Sequence, residues 1–439
     1  MRSRFAALLV ALCGATAPAG GQTLPRHAVI GAGVAPAAAG ARVTLVVAQS
    51  AAASAGLQSG DLITNLGGTP VDSVASYLRA AHALNAGSAT TMTIVRDGQA
   101  RVLALVPSSA PDEREPGLET IYGTITVEGT LRRTLVTQPR NARGKHPALL
   151  LIGGIGCFSI DVATRPQDAY LRLTHDLARA GFVTMRLEKS GVGDSQGPPC
   201  RTVDFAAESA SYALALEALR RNPAVDSKRI YLFGHSIGET IAPRLALAAP
   251  VAGVIVAEGT SINWIEYELR NLRRQLAIGP DRDPPTTIDA KMLRKNICMQ
   301  RLLVFKESER ALLAELPDCA EFTGIYPVDA PYVQELADLN MAEPWTQLAV
   351  PVLAIDGTAD YVCDPADQER IVEIVNSTHP GSATLAVMPG MTHELARSTT
   401  PDAAAREYAD HTQLPYDTDL SGTVRSWLCA RETCSSANS

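Results

Sequence analysis

A chain of 439 residues has room for two or three domains at roughly 150 residues each. With 46% hydrophobic and 19% charged residues it has the apolar content of a folded globular protein and not of a disordered one. Its formal charge of -7 argues against the basic face of a nucleic-acid binder. No internal apolar run reaches the ~18 residues that a membrane span needs, so no integral membrane segment is expected once the N-terminus is processed.

The N-terminus reads as an address. Arg2 and Arg4 precede an apolar stretch over 5–13, and Ala17-Pro18-Ala19 is a small-residue cleavage site. Basic start, short apolar core and A-x-A together predict a secretory signal peptide over 1–19, and hence a periplasmic or secreted protein. Leu12, before Cys13, is too large for a lipoprotein signal. Seven of the eight cysteines then remain: Cys157, Cys200, Cys298, Cys319, Cys363, Cys429 and Cys434. An oxidising compartment favours disulfides, Cys298 with Cys319 and Cys429 with Cys434 are near neighbours, and an odd count leaves one thiol over. No Cys/His spacing matches a zinc site, so neither metal nor cofactor is expected.

Residues 26–106 read mostly as short strands with one helix. A β-branched run covers 43–47, and Asp61-Leu-Ile-Thr-Asn-Leu-Gly-Gly is a strand entering a turn. Apolar positions have helical spacing over 73–84. Strands over 91–95 and 101–106 flank Arg96-Asp97-Gly98-Gln99, a strong hairpin signal. Ala52-Ala53-Ser54-Ala55-Gly56-Leu57-Gln58-Ser59-Gly60-Asp61-Leu62-Ile63, followed by Gly67-Gly68-Thr69-Pro70-Val71, resembles a bacterial-type PDZ domain. That likeness implies capture of peptide C-termini by strand addition, with Gly31, Ala32, Gly33 and Val34 as the carboxylate-holding loop; the bland alternative is a domain that only packs on its neighbour. Residues 107–118 are Pro-rich, polar and charged, which is linker composition.

From 119 to 434 strands alternate with helices, the pattern of an α/β fold with a mostly parallel sheet. A hairpin is expected over 120–127 and 130–137, and the continuous apolar run 147–152 suits a strand buried on both faces. Helices follow over 168–180, 203–219 and 241–248, and strands over 183–187, 229–233, 251–256, 350–355 and 383–387. Gly234-His235-Ser236-Ile237-Gly238 lies directly between a strand and a helix, the required context of the G-x-S-x-G nucleophile elbow. Such a turn lifts a serine hydroxyl clear of the sheet and sets a helix N-terminus behind it. The hydroxyl needs a base, and the order in this fold is serine, acid, histidine. His393 follows a late strand, whereas His379 precedes that strand and His411 has none before it. Asp360 lies just past the strand before; Asp356 ends that strand and Asp364 caps a helix.

As a set these motifs resemble the α/β-hydrolase superfamily, and within it bacterial exported esterases and prolyl-oligopeptidase-like or serine-aminopeptidase-like hydrolases. The run Leu187-Glu188-Lys189-Ser190-Gly191-Val192-Gly193-Asp194-Ser195 matches the D-x-R-G-x-G-x-S loop but departs across Glu188-Lys189-Ser190, with Glu188 for D and Ser190 for R. The likeness implies an oxyanion hole from the backbone N–H groups of Ile237 and Ile155, with Gly154 as the rival to Ile155 in Gly153-Gly154-Ile155-Gly156. A Cys157–Cys200 disulfide would pin two loops at the mouth of that site. The 261–349 interval is too long for a structureless loop and is expected to be a helical lid. There Trp264, Tyr267, Tyr332 and Trp345 line a substrate pocket or form the lid's own core, and Arg270, Arg273 and Arg274 bind a substrate carboxylate or form a solvated face. The resulting expectation is a cofactor-independent serine hydrolase of ester, amide or thioester bonds, with Ser236 as nucleophile, His393 as base and Asp360 as its orienting acid. Its partners would be a small ester or peptide substrate and, through the PDZ domain, protein C-termini. The alternatives are an aminopeptidase or acyl-peptidase recruiting peptides through the PDZ domain, and a non-catalytic PDZ scaffold.

Overall fold

The structure, a computed structural model, describes residues 23–141, 143–279 and 282–434. The expected signal peptide over 1–19 lies outside the described residues.

The first unit is small and β-rich. In chain order it contains β1 (Ala28–Val29), β2 (Ala32–Ala37), β3 (Gly40–Val46), α1 (Ala51–Ser54), β4 (Leu62–Leu66), β5 (Thr69–Pro70), α2 (Val74–His82), β6 (Thr90–Arg96), β7 (Gln99–Leu105) and β8 (Ser108–Ser109). Its main sheet runs β2-β3-β4-β6-β7, with β5 on β4. The Asp97-Gly98 turn joins β6 to β7 with both residues at positive φ, as a two-residue hairpin turn requires. Ser73 and Ser76 cap α2 reciprocally. Alternate residues of β4 and β6 (Ile63, Met92, Ile94) face α2, where Tyr77 and Ala80 close a small core of their own. Of the expected carboxylate loop only Gly31 (φ 82°) lies before the strand. Ala32, Gly33 and Val34 lie within β2, paired with β3, because the extended run continues that far forward.

Between the units, residues 107–118 do more than their composition suggested. β8 pairs with β1, clasping the start of the small unit to its end. Glu113 is buried, ion-paired to Arg186 at 2.5 Å. Nearby Asp194 accepts from His27 N at 2.7 Å and from Arg133 Nε at 2.8 Å, and Arg26 reaches both Asp194 and Asp161. A polar stretch looks like a free spacer in sequence because its buried partners come from elsewhere in the chain.

The second unit contains β9 (Leu118–Val127), β10 (Thr130–Pro139), β11 (His146–Ile152), α3 (Ala169–Arg179), β12 (Val183–Leu187), α4 (Phe205–Arg221), β13 (Val225–His235), α5 (Gly238–Ala248) and β14 (Gly253–Ala257). After these come α6 (Trp264–Leu276), α7 (Pro285–Met299), α8 (Glu309–Glu315), α9 (Ala330–Asp338), α10 (Glu343–Gln347), β15 (Val352–Gly357), α11 (Pro365–Thr378), β16 (Ala383–Met388), α12 (Pro401–Ala409) and α13 (Thr418–Cys429). The sheet order is β16-β15-β14-β13-β11-β12-β10-β9. β9 and β10 pair antiparallel, as do β10 and β12, and the other neighbours are parallel. This is the α/β-hydrolase sheet. Its central strands are buried on both faces, so β11 and β14 read as unbroken apolar runs. Cores lie on each side: Leu150, Leu232 and Val254 face α4, α5 and the inserted helices, while Leu149, Phe233 and Ile255 face α3 and α13.

The expected strands and helices of this unit are present, with ends moved by a few residues. Helices α7, α9, α10, α12 and α13 were not foreseen. The buried residues of α7 are Ile288, Lys295, Cys298 and Met299, which form no apolar stripe. Among the described residues no helix is long and apolar enough to cross a membrane.

Candidate active site

Ser236 lies on the sharp turn between β13 and α5, at φ 55°, which is strained for a residue with a side chain. The flanking glycines are steric requirements. A Cβ at Gly234 would lie 2.4 Å from Gly238 O, and one at Gly238 would lie 2.2 Å from Ile152 O. The turn is pinned from below by Ser236 N–H donating to Ala257 O at 2.9 Å.

Asp360 follows β15 and His393 follows β16, so adjacent parallel strands deliver both to the same sheet edge. His393 Nδ1 donates to Asp360 Oδ2 at 3.0 Å, and Ser236 Oγ donates to His393 Nε2 at 3.2 Å. Asp360 Oδ1 accepts from Val362 N at 2.5 Å and Cys363 N at 2.9 Å, which fixes the carboxylate plane. Burial pulls the His393 pKa down, but the charge and hydrogen bond of Asp360 outweigh it, so the imidazole ends above its ordinary value of 6.5. Burial opposes ionisation of Asp360, yet His393 and its hydrogen bonds hold its carboxyl below the usual range. Glu258, just past β14, is almost fully buried beside Asp360. Burial, then the Asp360 charge, push its pKa well up, which favours its protonated form.

The two residues expected to donate to an oxyanion lie beside Ser236. Ile155 and Ile237 border one pocket with Ser236, and neither N–H has a partner among the described residues. The rival, Gly154, is committed elsewhere: its N–H donates to Tyr170 Oη at 2.9 Å. Tyr170 comes from the first turn of α3, where Asp168 caps the helix. Tyr170 in turn donates to His235 Nδ1 at 2.6 Å, and His235 Nε2 donates to the carbonyl of His393 at 2.7 Å. A carbonyl can only accept, so the proton of His235 is on Nε2. Burial, then the neighbouring His393, lower the His235 pKa to about 3, which keeps it neutral. Sequence reasoning missed Tyr170, His235 and Glu258. His235 occupies the variable position of G-x-S-x-G, which carries no signal of its own.

The cysteines pair as Cys157–Cys200, Cys298–Cys319 and Cys429–Cys434, with Cys363 free and buried near Asp360. The first bridge joins the loops after β11 and β12, at the site's edge. Residues of the 261–349 interval such as Leu272 and Ile325 line, with Phe158, Tyr361 and Ser236, an open cavity of about 610 Å³. A polar wall faces it: buried Lys295 donates to Glu268 at 2.7 Å, and Tyr326 donates to Glu268 at 2.6 Å. Trp264 and Tyr267 border the pocket at Ser236 and belong at the same time to the main core, while Tyr332 and Trp345 are core only. Neither expectation for the arginines holds throughout. Arg270 pairs with the buried Asp367 and so fastens α6 to α11, Arg274 donates to Asp360 O at 3.3 Å and so fastens it to the loop after β15, and Arg273 pairs with Asp289 on the exposed face.

A family model described as "Alpha/beta hydrolase family" matches residues 149–410, and one described as "PDZ domain" matches residues 28–105. The chain belongs to the alpha/beta hydrolase family and carries an N-terminal PDZ domain. It is 26% identical to Esterase EstD of Thermotoga maritima over 56% of this chain and 53% of that protein. It is 29% identical to Thiohydrolase apmlB of Arthrinium phaeospermum over 31% of this chain and 46% of that protein. The chain thus spans about half the length of these curated relatives. Among solved structures, Est1E of Butyrivibrio proteoclasticus bound to ferulic acid is similar at 13% identity, covering 70% of this chain and 98% of that one, with a TM-score of 0.45.

Proposed function

We propose that the protein is an exported serine hydrolase whose first choice of substrate is a carboxylic ester. The observation that carries this reading is the hydrogen-bonded line from Ser236 through His393 to Asp360, beside two unpartnered N–H groups. Ser236 Oγ attacks the substrate carbonyl as His393 Nε2 takes its proton. The tetrahedral oxyanion lies toward the N–H groups of Ile155 and Ile237. Collapse expels the alcohol, which takes the proton back from His393 and leaves an acyl-Ser236. Water, deprotonated by the same imidazole, then releases the acid. The names of the curated relatives, an esterase and a thiohydrolase, favour ester and thioester bonds over amides. Three disulfides and the leader over 1–19 favour export to the periplasm or beyond.

The test is turnover of short-chain aryl esters, thioesters and aminoacyl amides by the mature protein and by Ser236→Ala. Ester turnover that vanishes in the variant supports the reading; amide turnover alone would favour a peptidase, and no turnover a scaffold. A role for the PDZ unit is proposed from one feature. β2 is a sheet edge whose outer side is unpaired among the described residues, with α2 beside it. A peptide C-terminus would add there as a strand. Titration of the full chain with a C-terminal peptide library checks this, and Gly31→Val, which also puts a side chain against Ser50, should abolish any binding seen.

A further inference from the structure

Lys189 lies in the loop after β12, at an open position of the D-x-R-G-x-G-x-S pattern, and the mechanism above does not use it. Its side chain is 7% exposed and lies behind the loop after β11. Nζ donates to Gly154 O at 2.8 Å and forms an ion pair with Glu208 of α4 at 2.9 Å. Gly154 O and Ile155 N–H belong to one peptide unit. The described peptides are trans, and in a trans peptide these two groups point in opposite directions. Holding the carbonyl from behind therefore aims the N–H forward. The same glycine is held at its other group by Tyr170. It passes so close to the nucleophile that a Cβ there would lie 3.4 Å from Ser236 Cβ.

We propose that Lys189 is a positioning residue that holds and polarises the Gly154–Ile155 peptide, so that Ile155 N–H is a pre-aimed oxyanion donor. A cation on the carbonyl end reinforces the dipole of that peptide and makes its N–H a stronger donor, in a buried setting where such effects are least screened. Glu208 keeps the buried ammonium paired and in place. The stabilisation matters most when negative charge develops on the substrate oxygen, so Lys189 acts on the transition state and not on ground-state binding. The inference rests on the serine-hydrolase reading. The merely structural alternative is an ion pair that only ties the β12 loop to α4.

Three variants separate these. Lys189→Met removes the cation, the double variant Lys189→Met/Glu208→Gln removes it without stranding a buried carboxylate, and Lys189→Arg restores a cation. Each is compared with the unmodified mature protein for kcat and KM on an aryl ester, for inhibition by a trifluoromethyl ketone that forms a hemiketal oxyanion, and for Tm. The double variant should lose ~30-fold in kcat and ~30-fold in inhibitor affinity with KM within about twofold, short of the 10²–10³ cost of deleting a donor. Lys189→Arg should recover most of both. A folded double variant with kcat and inhibitor affinity within about twofold of the unmodified protein overturns the inference alone, as does a kcat loss that tracks lost folded protein with inhibitor affinity unchanged. An unmodified protein that neither turns over ester nor binds the ketone overturns the hydrolase reading, and this inference with it.

Discussion

His393 must be neutral to accept the Ser236 proton, and Asp360 holds its pKa above 6.5 against the pull of burial. kcat/KM should therefore fall as pH drops through a value above 6.5. Asp360→Asn removes the charge that opposes burial, so the limb should move to lower pH while kcat falls by ~10⁴. A pH–rate profile of both proteins checks this; a limb that stays put in the variant contradicts it. Glu239 makes the opposite kind of prediction. Burial, the first cause, raises its pKa to about 8, against the hydrogen bond it accepts from Gln368. The folded state then holds a proton that the unfolded state releases near 4.5, so stability declines as pH rises from about 5 to 9. Glu239→Gln should flatten that decline by an amount on the order of a few kcal/mol, read from urea melts at both pH values. Ser236, Asp360 and His393 were legible at this scale because each follows a readable strand. Lys189 and Tyr170 were not, because their roles depend on backbone groups far away in sequence.

At the scale of elements, the elbow leaves no slack. Gly238→Ala would drive a Cβ into Ile152 O at the end of β11, backbone against backbone, just before the oxyanion loop. It should cost at least ~2 kcal/mol of stability and lower kcat as well, measured by denaturant melts and turnover. The helices over the site are fastened by charge. Asp367 has no exposed side-chain area, and Arg270 is its cation. Arg270→Met leaves that carboxylate unpaired and should destabilise the fold by about 3 kcal/mol; a change under about 0.5 kcal/mol would mean the pair is screened. That the 261–349 interval carries helices was legible from its length, but α7 was not. Its inward residues include Lys295, whose partner Glu268 lies on α6, and a pair split between helices leaves no periodic trace. The close cysteine pairs were readable for the converse reason, since short loops close locally.

Across the whole molecule, the two units are joined by buried charge rather than by a free tether. Asp194, held below the usual carboxylate range, gathers Arg26, His27 and Arg133 although burial opposes its ionisation. Its contribution is present above its ordinary pKa of 3.8 and is lost as acid takes the pH below that toward its folded value. Asp194→Ala should expose the 23–30 backbone to hydrogen exchange and cost about 3 kcal/mol. Unchanged protection there would show that β1 and β8 clasp the unit without help. In sequence the 107–118 stretch read as a linker because Glu113, Asp161 and Arg186 are brought together only by the fold.

The most direct measurement is labelling of the purified protein with a fluorophosphonate probe, followed by mass spectrometry of the peptide that contains residue 236. The account predicts one phosphonyl adduct on Ser236, absent from Ser236→Ala and slowed in Lys189→Met. A folded protein that takes no label, or takes it equally in Ser236→Ala, would contradict the central claim that this serine is an activated nucleophile.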